Sequence, residues 1–270
     1  MRESNELVQV YTRIGVRTAS FRLRVYRQEF NFASGFCIIM NIQGMNKNEL
    51  YASLDARGYA VIPSVLSDAE CRHLIGFYAD QHLFRSVICM ERYRFGKGEY
   101  KYFGYPLPPV VQALREIFYH VLSDSANQWM KKLGMLQQFP AEHAEFIEQC
   151  HLRKQDRPTP LILRYAAGGY NTLHQDLYGD VFFPFQVVVA LTQQGRDYEG
   201  GELVLTEQVP RAQSKAEVVK PDQGDVVIFT TNFRPVKGTK CYYRAHMKHG
   251  VSQVRSGERY ALGIIFHDAA

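Results

Sequence analysis

Two different hydrophobic periods divide the chain. In its first half the apolar positions recur at helical spacing, most clearly in residues 109–122, where they fall at 110, 111, 114, 117, 118 and 121. A capping box opened by Ser67 and a first-turn Pro109 mark two helix starts. The pattern predicts helices at 48–57, from 67 to about 80, 109–122, around 124–133 and 141–154, and a strand at 59–62.

After Pro160 the apolar positions form short β-type runs instead. Glycine-rich turn sequences separate them, including Pro-Asp-Gln-Gly and the Arg-Ser-Gly-Glu turn at 255–258. Short strands that follow each other without helices predict an antiparallel jelly-roll barrel. The predicted fold class is therefore α+β and mainly β, a jelly-roll barrel with N-terminal helical support. The predicted strands are 161–167, 185–193, 202–208, 216–220, 225–231, 249–254 and 259–266.

These patterns predict three regions. Residues 159–270 form the barrel, and residues 46–158 form a mostly helical support that makes one catalytic unit with it. Residues 1–45, with six Arg and no Lys, are expected to be a poorly ordered or dispensable extension. An organellar targeting segment is the alternative for this extension, although its three Glu residues count against it.

Composition narrows the class of protein. With 46% hydrophobic and 22% charged residues in 270, the chain has the composition of a soluble globular protein. We expect no membrane segment, because no stretch approaches the roughly 20 apolar residues that span a bilayer. Five cysteines, without a Cys-x-x-Cys pair, favour a reducing compartment, and we expect a cytoplasmic protein.

The sharpest chemical pattern is His174-Gln-Asp176 at the start of the β-rich half. On an extended chain, residues i and i+2 point to the same face, so the imidazole and carboxylate can bind one ion. A partner histidine, His249, precedes the last strand, and His246 is the rival third ligand. Two His and one carboxylate suit non-haem Fe(II). The alternative is a loop histidine that only hydrogen-bonds Asp176.

Arg259 adds a second element, ten residues after His249 and beyond the 255–258 turn. We expect an antiparallel hairpin to bring its guanidinium alongside the histidine strand. A buried Arg needs a carboxylate partner, which its planar fork can hold bidentately. That partner is either an internal Asp or Glu, or the far carboxylate of a dicarboxylic co-substrate that chelates the iron.

Four segments resemble landmarks of the Fe(II)/2-oxoglutarate-dependent dioxygenases, in particular their prolyl-4-hydroxylase-like branch. They lie in the same order at 165–176, 198–203, 224–229 and 249–262. The resemblance implies a double-stranded β-helix and a C–H hydroxylation that releases succinate and CO2. It also implies Fe(II), 2-oxoglutarate and ascorbate as reductant.

The same resemblance assigns individual roles. His174, Asp176 and His249 would be iron ligands, Arg259 would bind the C5 carboxylate of 2-oxoglutarate, and Tyr165 would hydrogen-bond the same group. Prolyl hydroxylases commonly have Lys where this chain has Arg259. That departure weakens a strict prolyl-hydroxylase assignment but leaves the co-substrate unchanged.

Charge patterning suggests a substrate class. The net charge is +5, and two segments, 92–103 and 231–248, interleave cations with aromatic residues. Cations beside rings suit a nucleic-acid groove. Residues 47–268 also resemble a bacterial oxygenase family proposed to act in oxidative repair of methylated nucleic acid, which implies oxidative demethylation. The alternatives are hydroxylation of a protein side chain or a small molecule, or a non-catalytic nucleic-acid-binding β-barrel.

Overall fold

The computed structural model of the protein describes residues 46–209 and 211–270, so the expectations for residues 1–45 lie outside the described residues. Helix starts follow local chemistry: the Asn46 side chain caps the first helix, and Ser67 and Glu70 form the expected capping box. The helices are α1 Lys47–Arg57, α2 Asp68–Gly76, α3 Met90–Tyr93, α4 Pro109–Lys132 and α5 His143–Leu152, with short 3-10 turns at Phe77–Ala79 and Gln81–Leu83.

Fourteen strands are formed by the described residues. They are β1 Tyr59–Ile62, β2 Phe84–Cys89, β3 Gly96–Lys97, β4 Glu99–Phe103, β5 Leu161–Ala166, β6 Tyr170–His174, β7 Phe185–Ala190, β8 Tyr198–Gly200, β9 Leu203–Gln208, β10 Lys215–Val219, β11 Val226–Thr230, β12 Phe233–Lys237, β13 Tyr242–Val251 and β14 Val254–Ile265.

The strands build two antiparallel sheets. The larger sheet has the order β1-β11-β7-β14-β5-β4-β2, with β8 also paired to β14. The smaller has the order β10-β9-β13-β6-β3, with β12 also paired to β13. Side chains from both sheets share one buried cluster, in which Phe229 of the larger sheet meets Leu205 and Met247 of the smaller. The sheets therefore pack face to face, and the predicted jelly-roll is confirmed.

The helices cover the outer face of the larger sheet. Trp129 of α4 packs on Phe185 of β7, with ring centroids 4.4 Å apart. Arg115 of α4, fully buried, pairs with the buried Asp268 at 2.8 Å and ties the helix to the end of the chain. This layer leaves the space between the sheets to the functional site.

The structure corrects several sequence expectations. The helices predicted at 109–122 and 124–133 are one continuous helix, α4. Strands β2, β3, β4, β6, β8 and β12 were not predicted, because neighbouring strands rather than an alternating pattern define them. Residues 46–158 supply β1–β4 to the two sheets as well as the helices. No helix within the described residues is long and apolar enough to span a membrane.

Candidate active site

Three side chains with metal-binding atoms meet on the smaller sheet. His249 of β13 lies directly across from His174 at the end of β6, and Asp176 follows two residues later. Asp176 Oδ1 is 3.6 Å from His174 Nε2, and Asp176 Oδ2 is 3.2 Å from His249 Nε2. Donors bound at right angles to one ion, each about 2.1 Å away, lie ~3 Å apart. The cluster therefore has the size of a metal site.

A β-bulge sets the direction in which the His174 side chain points. Val251 of β13 pairs with Asn171 of β6, while His249 pairs with His174, so β6 uses one more residue than its partner. The additional residue turns both Asn171 and His174 toward the space between the sheets. There the His249 ring lies 4.8 Å from the Phe229 ring of the opposite sheet. Bulges often reorient side chains beside active sites in this way.

Hydrogen bonds set the protonation of the cluster. His174 Nδ1 lies 2.8 Å from the Thr172 carbonyl oxygen, so Nδ1 carries the proton and Nε2 keeps its lone pair. Burial, followed by the neighbouring His249, holds the pKa of His174 below its usual value. Burial raises the pKa of Asp176, but the imidazoles of His249 and His174 outweigh it and hold that pKa below its usual range. A neutral imidazole and an ionised carboxylate are the forms that bind a metal.

Sequence reasoning missed a tyrosine pair behind Asp176. Tyr178 donates a hydrogen bond to Asp176 Oδ1 at 2.8 Å and accepts one from Tyr102 at 3.0 Å. Burial, followed by the charge of Asp176, raises the pKa of Tyr178 well above its usual value, so its hydroxyl remains a donor. Its position two residues after Asp176, on the same face of an extended chain, was the available signal.

Arg259 and Tyr165 face the cluster from the larger sheet. They pair directly across β14 and β5, with the Arg259 guanidinium carbon 5.6 Å from the centre of the Tyr165 ring. Arg259 is 4% exposed, and its Nε has no hydrogen-bond partner. No carboxylate within the described residues forms an ion pair with it. Because a buried guanidinium is costly without an anion, this observation favours an anionic ligand.

The structure also connects Tyr165 to the cluster of His174, Asp176 and His249. Its hydroxyl accepts a 3.4 Å hydrogen bond from Asn171, which lies three residues before His174. Burial raises the pKa of Tyr165 to about 12, and the negative charge of Asp176 contributes in the same direction. Tyr165 is fully buried, so its hydroxyl is a protonated donor inside the barrel.

Two expectations about this region need correction. The 255–258 segment is not a hairpin turn; it lies within β14, and β13 turns into β14 at 252–253. This turn crosses from one sheet to the other, so Arg259 lies beside Tyr165 and not beside the histidine strand. The rival His246 is exposed and hydrogen-bonds Asn232 Oδ1 at 3.2 Å, away from Asp176.

Gln186 is a further candidate site residue that sequence reasoning did not identify. It is the polar residue in an otherwise apolar strand, β7, and it pairs with Phe229 on one side and Ile265 on the other. Its side chain is 3% exposed, and its Nε2 has no hydrogen-bond partner. It can donate a hydrogen bond to a bound ligand. A single amide inside a buried apolar run was the available signal.

The two basic aromatic segments differ in how much of them is free. In the second segment, residues 231–244 belong largely to the β12–β13 hairpin. There Phe233 is buried, and Arg234 binds Glu207 through both Nε and an Nη, at 2.6 and 3.0 Å. In the first segment, residues 92–103, Tyr102 and Phe103 are buried and Tyr100 is partly buried, but Tyr93 and Phe95 remain exposed.

Comparison with known proteins identifies the family. Residues 98–269 match the model of a family described as an oxygenase catalysing oxidative methylation of damaged DNA. The chain belongs to this oxygenase family. It is therefore an oxidoreductase. An uncharacterized protein of Mycobacterium tuberculosis, found in strains H37Rv and CDC 1551, is 44% identical over 168 residues, which are 62% of this chain and 72% of that protein.

Solved structures agree on the fold of this oxygenase. A prolyl hydroxylase from Trichoplax adhaerens, in complex with a hypoxia inducible factor peptide, is similar with a TM-score of 0.50 and 15% identity. The match covers 87% of this chain and 92% of that one. A prolyl 4-hydroxylase from Phytophthora capsici also reaches 0.50 at 19% identity, over 84% of this chain and 63% of that one. The fold shared with prolyl hydroxylases is the expected double-stranded β-helix.

Proposed function

We propose that this oxygenase depends on Fe(II) and 2-oxoglutarate. His174, Asp176 and His249 would hold the iron, and Arg259 with Tyr165 would hold the C5 carboxylate of 2-oxoglutarate. The observation that carries the proposal is the buried guanidinium of Arg259, which has no carboxylate partner in 46–209 or 211–270 and faces the metal cluster from the opposite sheet. A dicarboxylate that chelates the metal at one end would supply the missing anion.

Some residues of the chain would bind the iron and the co-substrate, and others would orient the groups that bind them. Iron with 2-oxoglutarate and O2 supplies oxidative power for C–H hydroxylation, with release of succinate and CO2. The protein would hold three ligands on one side and keep Asp176 ionised through the hydrogen bond from Tyr178. The hydrogen bond from His174 Nδ1 to Thr172 fixes the ring that offers Nε2.

Anaerobic titration with Fe(II) and 2-oxoglutarate tests the proposal. Formation of the chelate produces a visible charge-transfer band, which we expect for the wild-type protein and not for His174→Ala. Ascorbate serves as the reductant in the later aerobic assays. A folded wild-type protein without this band would contradict the proposal and favour the non-catalytic barrel.

We further propose that the substrate is an alkylated nucleic acid, from which hydroxylation of an N-methyl carbon releases formaldehyde. The family description supports this class, and so do the exposed cations and rings of 92–103. Screening methylated oligonucleotides for formaldehyde, against peptides and small metabolites, tests it. Hydroxylated peptide without formaldehyde release would indicate a protein hydroxylase instead.

The domain arrangement is also a proposal. Because β1 to β4 of residues 46–158 are hydrogen-bonded into the sheets of residues 159–270, the two regions would fold as one catalytic unit. A single unfolding transition, followed by both far-UV circular dichroism and tyrosine fluorescence, is the expected result.

A further inference from the structure

Two exposed rings are stacked on each other beside the active site. Tyr93, the last residue of α3, and Phe95 have ring centroids 5.5 Å apart and planes inclined by only 18°. They are 56% and 45% exposed. Between them Arg94 adopts a left-handed backbone, with φ of 60°, and the chain then enters β3. We call Tyr93 and Phe95 the stacking pair.

The stacking pair is attached to the strand that carries His174. The Phe95 carbonyl oxygen accepts hydrogen bonds from both the backbone N–H and the hydroxyl of Thr172, each at 2.8 Å. The Thr172 carbonyl in turn fixes the His174 ring. With strands ~4.8 Å apart and ~3.3 Å per residue along a strand, the Phe95 backbone lies roughly 8 Å from that of His174.

The cations around the stacking pair are free. Arg92, Arg94 and Lys97 are exposed, and none forms an ion pair with a carboxylate in the part of the chain that the structure describes. The nearby Glu91 carboxylate is engaged, since it accepts hydrogen bonds from the Gly98 N–H at 3.2 Å and the Cys89 thiol at 3.3 Å. Arg234 of the second segment, by contrast, is neutralised by Glu207.

We propose that the stacking pair binds a base of single-stranded nucleic acid next to the target nucleotide, with Arg92, Arg94 and Lys97 at the phosphates. The proposal rests on the proposed function, because the strand must lead to the metal. Rings that offer a free face bind bases of any sequence, and cations that lack carboxylate partners track the backbone. A single strand is preferred because a base inside a duplex is already stacked on its neighbours.

Fluorescence anisotropy of a labelled single-stranded oligonucleotide, with the full-length protein loaded anaerobically with Fe(II), tests the proposal. Tyr93→Ala and Phe95→Ala should each weaken binding by about 5- to 150-fold, the range seen for loss of one base–ring stack. Tyr93→Phe should retain binding, because the ring remains. The matched control is Tyr242→Ala, an exposed tyrosine of the second segment, which should also retain binding.

Wild-type affinity in both alanine variants would overturn the proposal, as would equal weakening by Tyr242→Ala. Tighter binding of the corresponding duplex would overturn the preference for a single strand. Parallel titrations with DNA and RNA of the same sequence show which sugar is preferred.

The chelate band separates the stacking-pair proposal from the proposed function. A band with unaltered oligonucleotide binding in the alanine variants refutes only the stacking pair. Ring-dependent binding without a band refutes only the iron chemistry.

Discussion

Replacement of Arg259 by Met should have opposite effects on stability and on co-substrate binding. Arg259 is 4% exposed, and its guanidinium contacts the Tyr165 ring and forms no ion pair with the described carboxylates. Replacing a buried charge by an apolar side chain of similar size is often neutral or stabilising. We therefore expect the free energy of unfolding of the metal-free protein to fall by no more than about 2 kcal/mol, the size of a desolvated cation–π contribution.

The affinity for 2-oxoglutarate should fall steeply in the same variant. Removing one partner of a buried, hydrogen-bonded charge pair costs about 2–5 kcal/mol. This corresponds to a Kd raised roughly 30- to 5000-fold. Arg259→Lys should lie between wild type and Arg259→Met, because it keeps the charge but loses the bidentate fork.

Urea unfolding and titration of the chelate band measure the two effects. The matched control is Arg115→Met, which removes a buried Arg that does have a partner, Asp268, at 2.8 Å. Because the buried Asp268 carboxylate would lose its guanidinium partner and keep only its contacts with Tyr105 and His151, this variant should lose about 3–5 kcal/mol of stability. Equal destabilisation by the two Met variants, or an unchanged 2-oxoglutarate affinity in Arg259→Met, would refute the assigned role of Arg259.

Three further predictions concern the metal cluster and the buried helical layer. His249→Ala should abolish Fe(II) binding measured by titration and His246→Ala should not, and the reverse result would exchange their roles. Tyr178→Phe removes the 2.8 Å hydrogen bond to Asp176 and should weaken Fe(II) binding about 10- to 100-fold in the same titration; wild-type affinity would exclude that support. Burial lowers the pKa of His143 to about 3, so between pH 6.5 and 3 the unfolded chain binds a proton that the folded chain does not. Stability should thus be lost as pH falls, by about 1.4 kcal/mol at pH 5.5, and urea unfolding of His143→Gln should lack this part of the pH dependence.

The residues of the His-Asp-His cluster could be predicted from the sequence because their chemistry is local. The i, i+2 spacing of His174 and Asp176 places both on one face of an extended chain, and His249 lies in a predicted strand. The β6 bulge could not be predicted, since it depends on the register between β6 and β13. The most regular helices and strands could be predicted because their hydrophobic periodicity is also local. The short strands could not, because they depend on their neighbours.

The neighbour of Arg259 could not be predicted either. Gly-containing segments such as 255–258 are typical of turns, yet Gly257 lies inside β14 with φ of 75°. A Cβ there would lie 2.1 Å from the Asp197 carbonyl oxygen, so the glycine serves a close strand contact and not a reversal of the chain. The exposure of residues 92–103 also depends on tertiary structure, because the β4 pairings bury one end of the segment. It could therefore not be predicted from the sequence.

The turn at 252–253 places the two halves of the site on different sheets. The His-Asp-His cluster belongs to the smaller sheet, whereas Arg259 and Tyr165 belong to the larger. Packed sheets keep a separation of about 10 Å, set by the side chains between them. The separation of the sheets therefore fixes a length, and a molecule that reaches both halves of the site must match it. Selection among dicarboxylates of four, five and six carbons would follow from the thickness of the fold, and core substitutions that alter this thickness would change which acid fits.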